Sequence, residues 1–184
     1  IGPIPIVGED KTFPSGFTIR SEKAPNARGV RRALGDALAY DEWKATAATA
    51  DTVVVTGNYP EEWDTPTITD EQKLILIDTL QNELTLRADV FLPAATWAEK
   101  AGTFENYSNK LQLFEQALQP IGDAQAEGQI AMNLQALIDD MESTTFNPAT
   151  VRLRMADAGI LGMLEVELPM NTNRVDTDMP LSEL

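Results

Sequence analysis

The sequence predicts an α/β fold: part of a doubly wound domain with a short parallel sheet flanked by helices, an irregular N-terminal lead-in and a loose C-terminal tail. Two observations predict it. Three short runs, Thr52-Val53-Val54-Val55-Thr56, Leu74-Ile75-Leu76-Ile77 and Val90-Phe91-Leu92, are continuously apolar rather than alternating. That is the pattern of strands covered on both faces, as in a parallel sheet between helices. The stretches between and after these runs are long enough for crossovers and partly helical in period, which is the alternation of an α/β chain.

Taken in order, Ile1 to Gly16 is punctuated by Pro and Gly without helical period, and reads as an extended lead-in packed against the body. Pro25 to Gly29 is a loop offering Asn26 as an N-cap; Val30, Leu34 and Leu38 then recur at helical spacing, and Tyr40 to Ala50 is Ala-rich. One or two helices follow from this, broken near Gly35 or Asp41. The three strands end at Gly57, Asp78 and Pro93. Between them, Tyr59 to Thr69 is loop-like and Leu80 to Arg87 is helix-compatible. Ala94 to Gln119 mixes turns with short periodic pieces. Glu127 to Met141 carries Ile130, Leu134, Leu137 and Met141 on one helical stripe. Asn147-Pro148 supplies an N-cap followed by proline at the first helical position, and Gly159 is placed to end that helix. Leu164 to Leu168 alternates as a strand does, and the tail from Met170 is polar and acidic. The implied organisation is a lead-in with helices over 1–50, an α/β body over 51–142, and a C-terminal helix with tail over 143–184.

Composition narrows the chemistry. The 184 residues include neither cysteine nor histidine. Iron–sulfur clusters and structural zinc sites draw on those residues, and so do serine–histidine and cysteine–histidine catalysis. Carboxylate, lysine, tyrosine or hydroxyl chemistry remains, together with oxygen-liganded metals. The net charge of −15 opposes phosphate backbones and anionic lipid surfaces, so neither nucleic acid nor membrane insertion is expected. The apolar runs fall short of the roughly 20 residues of a membrane-spanning helix. The opening Ile1-Gly2-Pro3-Ile4-Pro5-Ile6 lacks an initiator Met and a signal-peptide pattern, and points to a fragment or processed product.

Four features are candidates for function, each with a plainer alternative. The turn Gly57-Asn58-Tyr59-Pro60 follows a strand, where glycine lets a ligand approach the backbone in the crevice beyond the carboxyl ends. Asp78, ending the next strand, is then a hydrogen-bond acceptor for ribose or base, or simply a helix cap. Arg28, Arg31 and Arg32 either meet an anionic ligand or an acidic partner, or pair with Glu22 and Asp36 on a solvated helix face. Glu99-Lys100 and Glu115 are acid–base-capable, with surface solvation as the default. Trp43, Trp63 and Trp97, with Phe91, Phe104 and Phe114, read as core or interface anchors.

One run is more specific. Ala88-Asp89-Val90-Phe91-Leu92-Pro93-Ala94-Ala95-Thr96-Trp97-Ala98-Glu99-Lys100-Ala101-Gly102-Thr103-Phe104-Glu105-Asn106 resembles the A-D-V-x-L-P-A-x-x-x-x-E-x-x-G-T-x-x-N signature of the molybdopterin oxidoreductase superfamily. Pro120, Gly122, Ala124 and Ile130 fall where that family connects into a helix, and Asp78 and Glu83 match its acidic pair between the last two strands. The tryptophan and the Glu-Lys-x-Gly-Thr wording look most like the G-type (large iron–sulfur) subunit of NADH:quinone oxidoreductase, respiratory complex I. Formate dehydrogenase and nitrate reductase relatives come second.

The resemblance implies the end of an α/β domain whose iron–sulfur clusters are held by an N-terminal part of the parent. It implies no catalytic residue and no metal ligand on this chain. In molybdenum members the loops after these strands help hold a guanosine arm of molybdopterin guanine dinucleotide, which makes Gly57, Asp78, Glu83, Thr103 and Asn106 the cofactor-contact candidates. Its partners would be the N-terminal part of the same subunit and neighbouring subunits of a respiratory complex, on the cytoplasmic side and peripheral to the membrane. Two departures favour a non-catalytic scaffold: Leu84 where the family has threonine, and Asn106-Tyr107-Ser108-Asn109-Lys110-Leu111-Gln112 where it reads N-x-E-G-R-x-Q. Lysine cannot make arginine's bidentate fork. The scaffold would serve electron transfer from NADH to quinone. The alternatives are the nucleotide-holding part of a molybdenum-dependent formate dehydrogenase-like enzyme and a stand-alone interaction module.

Overall fold

The computed structural model describes residues 8–22, 24–35, 38–57 and 68–159. The first residues of the lead-in, Asp36, the loop with Asn58, Tyr59, Pro60 and Trp63, the Leu164–Leu168 strand and the Met170 tail lie outside them.

The N-terminal strands β1 (Lys11–Thr12) and β2 (Thr18–Ile19) pair antiparallel, so residues 8–19 form a hairpin rather than an extended lead-in. Pro14 fixes the turn, and Gly16, at φ 82°, returns its amide to Phe13 O at 2.9 Å. Helix α1 (Ala27–Leu34) ends at Gly35, as its spacing predicts, and α2 (Tyr40–Ala47) follows.

The centre is a three-stranded parallel sheet in the order β3 (Thr52–Thr56), β4 (Lys73–Asp78), β5 (Val90–Pro93). Val54 pairs with Ile75, and Ile75 with Val90. The three predicted strands are these three, and their parallel pairing is as expected. Their burial is not uniform. Among the described strands, only β4 has a neighbour on each side. Val53, Val55, Leu74 and Leu76 pack on one face with Ile68 and Leu84. The opposite face is covered only toward its carboxyl end, where Ile77 and Leu92 meet Ala94, Ile130 and Leu134. Val54 is 56% exposed and Val90 45%, because β3 and β5 are edge strands and no helix among the described residues crosses their amino-terminal half.

Gln72 joins α2 to the sheet. Its side chain is buried, donates to Ala47 O at 2.6 Å and to Ala50 O, and accepts from the Thr69 amide at 2.9 Å. Helix α3 (Glu83–Arg87) is shorter than expected because Asn82, not a residue near Leu80, caps it by accepting from Thr85 N at 3.2 Å.

After β5 come a single 3-10 turn (Trp97–Glu99) and an antiparallel hairpin, β6 (Gly102–Glu105) with β7 (Leu111–Phe114). Helix α4 (Glu127–Ile138) buries Ile130 and half-buries Leu134, but Leu137 and Met141 are 78% and 70% exposed, so the predicted stripe is covered only along its first half. Helix α5 (Pro148–Asp157) has Asn147 accepting from Thr150 N at 3.2 Å and Gly159 at φ 71° beyond its end, as the sequence indicates. No helix among the described residues is long and apolar enough to cross a membrane.

Candidate functional site

The crevice at the carboxyl end of a parallel sheet is where a ligand belongs in an open α/β fold, and Gly57 and Asp78 meet there. The Gly57 amide donates to Ile77 O at 3.2 Å, which sets Gly57 beside Asp78 on neighbouring strands. Gly57 has φ 67°, and a Cβ on it would meet nothing within 4 Å. Its left-handed backbone requires glycine, and no described residue fills the space above it. Asp78 is 2% exposed. One of its oxygens accepts from Thr79 N at 2.6 Å and the other from Asn82 Nδ2 at 2.8 Å. Asp78 therefore fastens the loop into α3 through Asn82, and Glu83 follows, exposed at the first position of the helix. Glu83 is the accessible carboxylate of the acidic pair and Asp78 the buried one. Leu84 is 2% exposed in the main core, which explains an apolar side chain there.

Thr103 and Asn106 stand apart on the β6–β7 hairpin. Thr103 Oγ1 accepts from Arg152 Nε at 3.0 Å. Asn106 Oδ1 accepts from Ser108 N at 2.9 Å and Lys110 N at 3.1 Å, closing the turn that carries Asn109 at φ 59°. Both side chains are engaged within the hairpin or with α5, in a sheet separate from the one that carries Gly57 and Asp78. Of the five candidates, Gly57, Asp78 and Glu83 therefore lie at or just beyond the carboxyl ends of β3 and β4, and Thr103 and Asn106 on the hairpin.

Other residues of the long sequence run prove to be fold-building groups. Asp89 accepts from Leu74 N at 2.9 Å and from Lys73 Nζ at 2.7 Å, tying the start of β5 to β4. Those bonds, Lys73 first, hold its carboxyl below the ordinary value. Glu99 is not a solvated surface acid: it is 7% exposed and accepts from Thr96 N and Thr96 Oγ1, each at 2.8 Å. The Thr96 amide chiefly, helped by the Thr96 hydroxyl and the Ile121 amide, lowers its pKa. The T-x-x-E spacing at Thr96–Glu99 is the capping-box pattern and is the signal that finds this role. Gly102 is required because a Cβ there would lie 2.5 Å from the Phe114 ring. Phe114 in turn packs on Phe104 with centroids 4.9 Å apart. Lys100 pairs with Glu127, and Glu115 with Arg152. Trp97 is 74% exposed and is not a core residue.

The arginine cluster is used internally in two of its three members. Arg28 donates to Glu22 at 2.9 Å and to Asn109 at 2.7 Å, and Arg32 makes a two-pronged pair with Glu105. Glu105 is 2% exposed, and its amide donates to Asn26 Oδ1 at 2.8 Å. Asn26, left-handed at φ 61°, thus precedes α1 as expected but spends its side chain on β6 instead of on the helix. The Arg32 guanidinium holds the Glu105 carboxyl below its ordinary value, against the opposing effect of burial. A depressed pKa stabilises the fold above the ordinary carboxylate value of 4.5 and loses that contribution as pH falls through the folded value. Melting temperature should therefore fall more steeply below pH 4.5 in the native chain than in Glu105→Gln. Parallel curves would show that the pair does not carry this acid sensitivity.

Among the described residues no cluster of three or more acidic side chains is placed to hold a metal ion. The carboxyl ends of β3 and β4 carry the left-handed Gly57 and the buried Asp78, and the exposed carboxylate of Glu83 opens α3 just beyond them. The profile of the molybdopterin oxidoreductase family matches residues 34–136, which takes in α2, the whole parallel sheet, the hairpin and most of α4. The chain belongs to this family. Over 51 residues, 28% of this chain and 8% of the relative, it is 47% identical to the alpha subunit of the F420-dependent formate dehydrogenase of Methanocaldococcus jannaschii. Over 76 residues, 41% of this chain and 11% of the relative, it is 38% identical to the alpha subunit of F420-dependent formate dehydrogenase 1 of Methanococcus maripaludis. Over 47 residues, 26% of this chain and 6% of the relative, it is 43% identical to the G-type subunit of the NADH-quinone oxidoreductase of Streptomyces coelicolor. The matched stretches thus correspond to about a tenth or less of these relatives' length.

Proposed function

We propose that this chain is the crevice-building, non-catalytic part of a larger molybdopterin oxidoreductase, and that in a formate dehydrogenase-like parent it seats the guanosine arm of the pterin dinucleotide. The observation that carries the proposal is the grouping of Gly57, Asp78 and Glu83 at the carboxyl ends of β3 and β4. A nucleotide fits these residues: among the described residues nothing fills the space beside Gly57 where a side chain would lie, and Glu83 offers an accessible acceptor for guanine N–H groups. Asp78, buried beneath them, holds the Asn82 loop in position. When bound, the cofactor supplies the metal-centred redox chemistry. This chain's residues bind, orient and enclose one of its ends.

The alternative parent is a G-type subunit of complex I, in which the same fold is scaffold around the cluster chain that leads from NADH to quinone. It is favoured by a specific observation: Thr103 and Asn106 are engaged in internal hydrogen bonds. Lys110, in place of the family's arginine, points the same way. In either parent, iron–sulfur clusters would be held by residues outside this cysteine-free chain, and the partners would be the rest of the subunit and its neighbours.

Titration of the chain with GDP, followed by amide NMR, separates the two. The nucleotide-holding role predicts shifts confined to Gly57, Thr79, Asn82 and Glu83, and weakened by Glu83→Gln. No shift at these amides would leave the scaffold role.

A further inference from the structure

We propose that α1 is a polar latch: it closes one wall of a cavity behind the β6–β7 hairpin, and it opens as a unit while the parallel sheet stays closed. By its own propensity α1 is a poor helix. It is eight residues long with none of them buried, and isolated helices shorter than about 12–15 residues are marginal. Gly29 lies inside it, where glycine weakens a helix. Asn26, left-handed at φ 61°, gives its first turn no side-chain bond.

These departures are what the hairpin needs. Asn26 Oδ1 accepts from the amide of the buried Glu105 at 2.8 Å. To reach it, the Asn26 side chain lies over Gly29, where a Cβ would stand 2.1 Å from that same oxygen. A side chain at position 29 therefore displaces Asn26 from β6. Arg28 donates to Asn109 Oδ1 in the hairpin turn at 2.7 Å, and Arg32 holds the Glu105 carboxylate by two bonds. Loss of Arg32 leaves a buried charge without its partner, so the strand loosens with the helix. Helix and hairpin thus depend on each other, as the parts of a two-state element do. The hairpin is a sheet separate from β3–β5, which lets the pair open without it. Behind the latch, Val30 lines a cavity of about 200 Å3 together with Leu111, Phe146, Val151 and Met155. Release of α1 takes away the Val30 wall and opens this apolar space.

Amide exchange of Gly29→Ala tests the latch, because a latch and a self-standing helix give it opposite signs. In a helix that rests on its own propensity, alanine slows exchange about fivefold. In the latch it drives Asn26 off the buried Glu105 amide, a loss worth about thirtyfold, so exchange in α1 becomes about fivefold faster in net. Asn26→Gly keeps the left-handed backbone and removes the side chain. On that background Gly29→Ala should slow exchange about fivefold, since nothing is left to displace. The amides of α1 and β6 should respond together, while those of β3–β5 keep their native protection. Slower or unchanged exchange for Gly29→Ala in the native chain, the same sign on both backgrounds, or loosening that reaches β3–β5 equally overturns the proposal.

Discussion

Truncation of Leu76 to alanine should lower the stability of the chain by about 3 kcal/mol, within the range of buried leucine-to-alanine changes. Leu76 is fully buried in the middle of the central strand, between Val55 on one side and Phe91 on the other. Its cluster mates Val53, Leu74 and Leu84 are fixed by the ladder and by α3, so the surroundings can collapse little into the space left. For a chain of this size such a loss corresponds to a melting temperature lower by about 6–12 °C. The companion change, Val54→Ala on the neighbouring strand, removes a side chain that is 56% exposed and should cost under about 0.5 kcal/mol. Chemical denaturation of the two variants measures the contrast. Equal losses would mean that β4 is not the centre of the sheet.

That contrast marks what the sequence could and could not say about the fold. Thr52–Thr56 and Leu74–Ile77 are alike as strings of apolar residues, and both are strands as expected. Which of them is central depends on neighbours that periodicity does not encode. β4 is flanked on both sides, whereas β3 has one partner among the described residues, so its burial alternates although its composition does not. The same limit explains α4. Ile130 and Leu137 belong to one stripe, yet only Ile130 has a sheet residue against it. The β6–β7 hairpin was legible in principle: Leu111-Gln112-Leu113-Phe114 alternates, and Asn106 to Asn109 is rich in turn-forming residues. Its first strand hid the signal, because Glu105, a charged residue, is the buried one and Phe104 is 38% exposed. Arg32, 73 positions away in sequence, makes that inversion tolerable by neutralising the buried carboxylate.

The crevice was more legible than the hairpin half of the site. Gly57 and Asp78 end consecutive parallel strands, so their meeting follows once the strands are placed. Asn82 is the crevice residue that sequence reasoning misses, although an Asn three residues before Thr85 is a capping signal. It is the residue that connects Asp78 to the Glu83 loop. Thr103 and Asn106 lie within the most specific motif of the chain, but motif membership says nothing of whom a side chain bonds. Arg152, outside the motif and outside the family match, decides that for Thr103.

Arg152 is accordingly the second site where a large effect is expected. Its side chain is 12% exposed. It donates to Gly102 O at 2.9 Å, to Thr103 Oγ1 at 3.0 Å and to Glu115 at 3.3 Å, fastening α5 to the hairpin. Arg152→Met keeps the length of the stem and removes every donor, leaving the Gly102 carbonyl and the Thr103 hydroxyl without this partner beneath the helix. Hydrogen bonds from a charged group are each worth more than neutral ones, and a loss of about 2 kcal/mol is expected. That energy corresponds to amide exchange about thirtyfold faster in α5 and β6, while β3–β5, which have no bond to Arg152, keep their protection. Arg152→Lys should fall between the two, since it restores the charge but not the planar fork that reaches two acceptors at once. Thr103→Val then separates the two roles considered for that residue. If its hydroxyl serves α5, the valine variant speeds exchange in the helix and leaves the GDP titration of the crevice unchanged. If it serves the nucleotide, the titration weakens and the helix stays protected.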